Sequence, residues 1–251
     1  MLLRQPRWIV ASVIVVVASV TFVSLGLWQL ERLDEVRAQN RLVASRIEGP
    51  PVPLEELVSD AATIRPDDLE YRRVVVTGTY DTDAEVLQRF RAHRGQNGFH
   101  VLTPLVRDDG DTVLVRRGWV PFELDTPPVD EAAPPEGDVE VTGFLQRSED
   151  QRGLGPTDPT EGELELVLRA DVPRLDRQVD GALFPMVLTL DAQQPAQAGR
   201  LPVRVEPPAI DEGNHLSYAL QWFSFAAIAV IGYAAVLRKR SRELAEVTPP
   251  G

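Results

Sequence analysis

The chain has 251 residues, a formal net charge of −12 at pH 7 and no cysteine. The lack of cysteine excludes disulfides, thiol nucleophiles and cysteine-ligated metal sites. An acidic chain repels phosphate backbones, so we expect no nucleic acid among its partners. The mean hydropathy of −0.13 conceals two charge-free apolar runs, one near each end.

The two apolar runs, Ile9–Leu27 and Leu216–Leu237, are 19 and 22 residues long. A helix rises about 1.5 Å per residue, so each run can cross a hydrocarbon core roughly 30 Å thick. We therefore predict a multi-pass cell-membrane protein in contact with lipid, not a freely soluble enzyme. A cleaved signal peptide is the alternative for the first run, but Trp8 and Trp28 at its ends suit a retained span.

Basic residues beside the two runs predict the orientation. Arg4 and Arg7 precede the first run, and four basic residues between Arg238 and Arg242 follow the second. Positive flanks favour the cytoplasm, so we expect both termini inside and the central domain outside. The predicted segments are a cytoplasmic tail (1–8), a first span (9–28), an extracytoplasmic domain (29–214), a second span (215–237) and a cytoplasmic tail (238–251).

Small residues recur every seven positions along the first run, at Ser12, Ser19 and Gly26. Seven residues are nearly two helical turns, so these side chains line one face that allows a second helix to approach closely. The face predicts either packing of the two spans on each other or docking onto a helix of a partner.

Between the runs, the first helix is expected to continue past Trp28 and to end at Gly49-Pro50-Pro51. Alternating or β-branched segments predict strands at Tyr71–Tyr80, Glu85–His93, Phe99–Arg107, Thr112–Val120, Val139–Gln146, Leu164–Arg169 and Met186–Leu190. Shorter signals predict a helix at Leu54–Val58, a hairpin turn at Asp108-Asp109-Gly110, a helix over Asp171–Val179 with Asp171 as N-cap, and loops at Thr126–Gly137 and Ser148–Gly162.

These elements predict the fold class. It is a membrane protein in which two transmembrane α-helices flank an α+β extracytoplasmic domain. The sheet is expected to be mainly antiparallel and curled towards a barrel.

The sequence has no nucleophile elbow, P-loop, dinucleotide fingerprint or H-E-x-x-H motif, so we expect that the protein is not an enzyme. His93 and His100 lie on different predicted strands, and no carboxylate at a close spacing supports a metal site between them. Packed or solvated strand histidines are the more common arrangement.

His215 directly precedes the second run, and on a helix it shares a face with Tyr218 and Trp222. Haem ligation needs a nitrogen donor and flat apolar walls, so this face is a candidate haem site with His215 as the metal ligand. The alternative, which the spacing alone favours, is a histidine and a tryptophan that anchor the helix at the lipid headgroups.

Arg117 lies in the block Arg116-Arg117-Gly118-Trp119, near the end of a predicted strand. A guanidinium holds carboxylates through two parallel hydrogen bonds, so Arg117 is a candidate ligand for a haem propionate or an acidic partner. An internal ion pair is the alternative. Gly78, a glycine between β-branched residues, predicts a bulge or a close backbone approach.

Five blocks follow one another along the chain: GLWQLER (26–32), RVVVTGTY (73–80), GFHVLTP (98–104), VLVRRGWVP (113–121) and NHLSYALQW (214–222). Together they resemble, in order, the motifs of the Surfeit locus protein 1 family, assembly factors for haem–copper cytochrome c oxidase. The resemblance implies that oxidase subunit I is a partner.

Some bacterial members of that family are held to bind haem a through the histidine at the start of the second span, which corresponds to His215. The resemblance therefore implies haem a as the bound group, received from haem a synthase and passed to subunit I. A structural chaperone that holds subunit I without haem is the alternative.

Overall fold

The computed structural model describes residues 6–57, 65–150 and 155–246. The chain forms two compact units. The helical unit comprises residues 1–42 and 209–251, and the sheet unit comprises residues 43–208. Residues 29–42 and 209–214, which the sequence assigned to the extracytoplasmic segment, thus belong with the long helices.

Two long helices carry the apolar runs. Helix α1 spans Pro6–Ile47, and helix α5 spans His215–Glu246. Among the described residues these are the two helices long and apolar enough to cross a membrane, and only 6% of each apolar window is buried. The predicted continuation of α1 is confirmed, because it ends just before Gly49-Pro50-Pro51, where proline cannot extend a helix.

The small residues of α1 and α5 lie where the two helices pack on each other. A Cβ atom on Gly26 would lie 2.6 Å from Cε1 of Phe223, so a larger residue there would require the Phe223 ring to move. Ala219 and Ala226 are buried on α5, and the Ser12 and Tyr233 hydroxyls are 2.7 Å apart. The structure therefore favours the first alternative for the small-residue face, packing of the two helices within this chain.

The sheet unit is built on eight strands among its described residues, in the order β1-β2-β6-β8-β5-β4-β3-β7. The strands are β1 Val52–Pro53, β2 Arg73–Tyr80, β3 Val86–His93, β4 Gln96–Val106, β5 Thr112–Pro121, β6 Asp138–Arg147, β7 Leu166–Val167 and β8 Leu183–Gln194. The short helices are α2 Leu54–Leu57, α3 Pro66–Leu69 and α4 Val172–Leu175, with 3₁₀ turns at Asp130–Ala132 and Asp176–Gln178.

The sheet is mixed, but most of its strand pairs are antiparallel, as expected: β2–β4, β2–β6, β3–β4, β4–β5 and β6–β8. The pairs β1–β2, β3–β7 and β5–β8 are parallel. A parallel pair needs a crossover connection instead of a tight turn, and residues 122–182 supply it between β5 and β8. β2 also pairs with β4, through Thr79 with Val106 and Tyr80 with Leu105, so the pairings β2–β6–β8–β5–β4–β2 form a closed circuit.

Several local predictions are confirmed. β4 and β5 form the expected hairpin at residues 108–110, where Gly110 has a φ of +88°. Asp171 is the N-cap of α4, because its carboxylate accepts a hydrogen bond from the Arg174 amide at 3.2 Å. The strand predicted at Leu164–Arg169 is only two residues long. Val58 and residues 151–154 lie outside the described residues.

β5 lies inside the sheet unit and is buried from Thr112 to Val120. A strand covered on both faces turns every side chain into the interior, so the two arginines of β5, Arg116 and Arg117, are buried with it. A buried charge is costly unless it is paired, so each of these arginines is expected to bind a carboxylate inside the sheet unit.

Candidate functional site

The candidate site in the helical unit is centred on His215, the first residue of α5. Its half-buried ring has Nδ1 2.8 Å from Oε1 of Gln29 on α1. An amide oxygen can only accept, so this bond requires a hydrogen on Nδ1. Nε2 makes no hydrogen bond to any residue that the structure describes. Metal-ligating histidines have this arrangement, with one ring nitrogen held and the other free to bind.

The segment before His215 is bound to α1 through an ion pair and a hydrogen bond. Arg37 Nη2 lies 2.9 Å from Glu212 Oε2, and Asn40 donates to the Asp211 carbonyl at 3.0 Å. The hydrogen bond to Glu212 raises the pKa of Arg37, and the same bond lowers the pKa of Glu212. Gly213 has a φ of +66°, which glycine adopts easily. These contacts hold the start of α5, and hence His215, against α1.

Tyr218 and Trp222, the two predicted walls, have different surroundings. Tyr218 is 49% exposed. Trp222 is half-buried and stacks on Phe22 of α1, with ring centroids 5.7 Å apart. Phe225 meets the edge of Trp222 at 5.8 Å. Tyr218 therefore offers an accessible aromatic surface one turn from His215, whereas Trp222 helps to join the two helices.

Arg117, the fourth predicted site residue, lies in the sheet unit and is buried. Its Nη1 is 3.2 Å from Glu85 Oε2, and its Nη2 donates to the Ala132 carbonyl and to Gln197 Oε1. Burial lowers the pKa of Arg117, and the Glu85 carboxylate opposes that shift. The structure favours the internal ion pair over a propionate or partner contact, because the guanidinium already has an internal carboxylate.

His93 and His100 lie on the paired strands β3 and β4. The His93 ring is 5.4 Å from the Trp119 ring. Burial lowers the pKa of His100 to about 3, and the positive charges of Arg116 and Arg91 add to the shift. Among the described residues no group of three His, Cys, Asp or Glu side chains is placed to hold a metal ion.

Sequence reasoning missed a charged cluster around Glu149. Arg116 Nη2 and Arg91 Nη2 lie 2.7 and 2.8 Å from its carboxylate oxygens, and Gln88 donates to it at 2.7 Å. The only signal was the Arg116-Arg117 pair inside a strand, since two adjacent arginines point to opposite faces and need two separate partners. Gln29 belongs to the first sequence block, residues 26–32, but nothing in its position along the chain predicted a hydrogen bond with His215.

A family model described as the SURF1 family matches residues 16–227. The chain belongs to the SURF1 family. This confirms the resemblance carried by the five sequence blocks. The matched residues include Gln29 and His215, most of α1 and the first part of α5.

Individual relatives support the assignment. An "Uncharacterized SURF1-like protein" of Mycobacterium tuberculosis is 33% identical over 99% of this chain and 91% of its own length. Surfeit locus protein 1 of Xenopus tropicalis is 28% identical over 81% of this chain and 68% of its own. Cytochrome oxidase assembly protein SHY1 of Saccharomyces cerevisiae is 34% identical over 41% of this chain and 26% of its own.

Proposed function

We propose that this SURF1 family member assists the assembly of haem–copper cytochrome c oxidase by binding haem a through His215 and passing it to subunit I. The family assignment and the name of the yeast relative support the oxidase. The observation that carries the haem part is the imidazole of His215, with Nδ1 bound to Gln29 and Nε2 without a partner among the described residues.

The residues present fit a haem. His215 Nε2 would supply a nitrogen ligand, and Tyr218, 49% exposed, would supply aromatic surface for the haem. When bound, haem a supplies an iron centre that accepts the nitrogen lone pair. The chain itself has to bind and release the group, which requires no catalytic dyad, so the proposed role is that of a carrier and not of an enzyme. Haem a synthase is the proposed supplier.

We further propose that α1 and α5 cross the cell membrane, with both termini cytoplasmic and the sheet unit outside. The basic residues that flank the two apolar runs support this orientation. His215 would then lie at the outer edge of the hydrocarbon, where haem can pass between membrane proteins without entering water. A reporter active only outside the cytoplasm should be active in the Asp109–Gly110 turn and silent at the C-terminus. Activity at the C-terminus would reject the two-span orientation.

The haem proposal is tested on protein purified from cells that make haem a. The wild type should carry a haem a absorption spectrum, and His215→Ala should insert normally but lose it, because alanine preserves the helix and removes the donor. Oxidase haem a content should fall in the same cells. His93→Ala is the matched control and should keep the spectrum.

Two results would overturn the haem proposal. One is an unchanged spectrum in His215→Ala, and the other is a wild type that carries no haem in cells making haem a. If assembled oxidase still depends on the protein, the structural chaperone that holds subunit I without haem takes its place.

A further inference from the structure

We propose that Gln29 is a positioning residue that sets the tautomer of His215, so that Nε2 presents its lone pair for ligation. The hydrogen bond stands on the geometry of the helical unit alone. Its purpose in ligation depends on the haem-binding function proposed above.

The argument begins with the choice between two neutral forms of the ring. A neutral imidazole carries one hydrogen, on Nδ1 or on Nε2, and only the nitrogen without it can bind a metal. Gln29 Oε1 lies 2.8 Å from Nδ1 and can only accept. The bond therefore selects the form with hydrogen on Nδ1, which leaves Nε2 unprotonated.

Contacts between α1 and the α5 region flank Gln29 in both directions along the two antiparallel helices. On one side, Gly26 packs under Phe223 so closely that a Cβ would clash at 2.6 Å. On the other side, Arg37 pairs with Glu212 at 2.9 Å. Gln29 lies between these contacts on α1, and His215 lies between Phe223 of α5 and Glu212, which precedes α5. The register of the two helices is therefore fixed at the point where the amide meets the ring.

The chemistry of the acceptor predicts how variants differ. Gln29→Met keeps the length of the side chain but replaces the amide with a thioether, which is only a weak acceptor. Gln29→Glu keeps an acceptor at the same reach and adds charge, so it should hold the Nδ1 hydrogen at least as firmly. Gln221, an exposed residue of α5, offers the matched control Gln221→Met.

The first measurement needs no haem. Imidazole ¹⁵N resonances are recorded on the full haem-free chain in detergent micelles, and the His215 signals are identified by their loss in His215→Ala. The wild type, Gln29→Glu and Gln221→Met should show hydrogen on Nδ1. Gln29→Met should show a substantial population with hydrogen on Nε2. Unchanged signals in a folded Gln29→Met protein would overturn the inference.

The second measurement is retention of haem a on the purified proteins. Loss of a residue that orients a metal ligand typically weakens affinity about 10- to 100-fold. Gln29→Met should show a loss of this order, and Gln29→Glu should restore binding. A Gln29→Met protein that changes tautomer yet keeps wild-type haem would overturn the positioning role. A wild type that binds no haem would instead reject the proposed function, while the tautomer result would still decide the hydrogen bond.

Discussion

Arg117 and Glu85 form an ion pair inside the sheet unit, with Nη1 and Oε2 3.2 Å apart and side chains 0% and 1% exposed. The carboxylate also accepts hydrogen bonds from the Thr103 hydroxyl at 2.7 Å and from the Val129 amide at 2.9 Å. Desolvating two charges is costly, and these extra bonds offset part of that cost. Glu85, the residue before β3, is thereby joined to β4, to β5 and to the loop that follows β5.

Arg117→Gln should therefore reduce function by destabilising the folded protein. Removing one partner of a buried pair leaves a charge without compensation, which costs about 3–5 kcal/mol. We expect a lower free energy of unfolding for the purified protein and a lower steady-state abundance in cells, with assembled oxidase falling in parallel. Glu85→Gln combined with Arg117→Gln should cost less than the sum of the two single changes.

Arg204→Gln is the matched control for Arg117. Its side chain is 63% exposed and pairs with Asp191 at 3.1 Å, so its loss should cost less than about 1 kcal/mol. Normal abundance of Arg117→Gln together with reduced oxidase would contradict the stability argument and favour a partner contact.

Gly78 lies on β2 where the backbone of β4 comes close. A Cβ at this position would lie 2.3 Å from the Val106 carbonyl oxygen, and a backbone atom cannot move away as a flexible side chain can. Gly78→Glu should lower abundance and thermal stability through misfolding, and even Gly78→Ala should be destabilising. Gly155→Ala is the control, because among the described residues no atom beyond its chain neighbours lies within 4 Å of its Cβ position. A Gly78→Glu protein with wild-type thermal stability would refute the close approach.

The low pKa of His100 predicts how the free energy of unfolding changes as the pH falls. Its pKa in the fold is about 3, against an ordinary 6.5, so the folded state keeps the ring neutral while the unfolded chain takes up a proton below about pH 6.5. Stability is therefore lost as the pH falls from 6.5 towards 3. Between pH 7 and 5 this group contributes up to about 2 kcal/mol of the loss, at 1.36 kcal/mol per pH unit.

The measurement compares unfolding of the wild type and of His100→Gln at pH 7 and pH 5. The variant should lose less stability on acidification, because glutamine takes up no proton. His93→Gln, the same change on the paired strand β3, is the matched control. Equal acid losses in His100→Gln and the wild type would show that the ring is not held neutral.

Local patterns predicted most of the elements. Val74 and Val76 alternate with more exposed residues along β2, as a half-buried strand requires. The Asp171 cap and the Asp108–Gly110 turn were predictable because each depends on residues a few positions apart. The pairing of β5 with β8 was not, since Thr112 meets Leu183 across a crossover that leaves no periodic signal.

The site was predictable only in part for the same reason. His215 could be singled out by its place at the start of an apolar run. Gln29 is 186 residues away, and the bond between them exists only once the two helices pack. The sequence left two roles open for Arg117, a ligand for a carboxylate outside the domain and an internal ion pair. It could not decide between them, because the burial of β5 and the contact with Glu85 exist only in the folded sheet.

Phe90 lies on β3 at the point where the register with β4 shifts, between Gln88 and Arg91. Its φ is +61°, and its side chain is 81% exposed. The left-handed region costs free energy for a bulky residue. Burial of the Phe90 side chain offsets little of that cost, because most of the side chain is exposed. Arg89, with Cζ 5.9 Å from the ring centroid, contributes only a weak cation–π contact.

Residues that tolerate the left-handed region should therefore be accepted at position 90. Phe90→Asn should raise the free energy of unfolding by about 0.5 kcal/mol, because asparagine adopts this conformation more readily than phenylalanine. Phe90→Val should lower it by about 1 kcal/mol, since a β-branched side chain is strained there. Ala92→Val, at an exposed position of the same strand, should be neutral or mildly stabilising because valine favours strands. If valine at position 90 is tolerated as well as valine at position 92, the bulge does not hold Phe90 in a strained conformation.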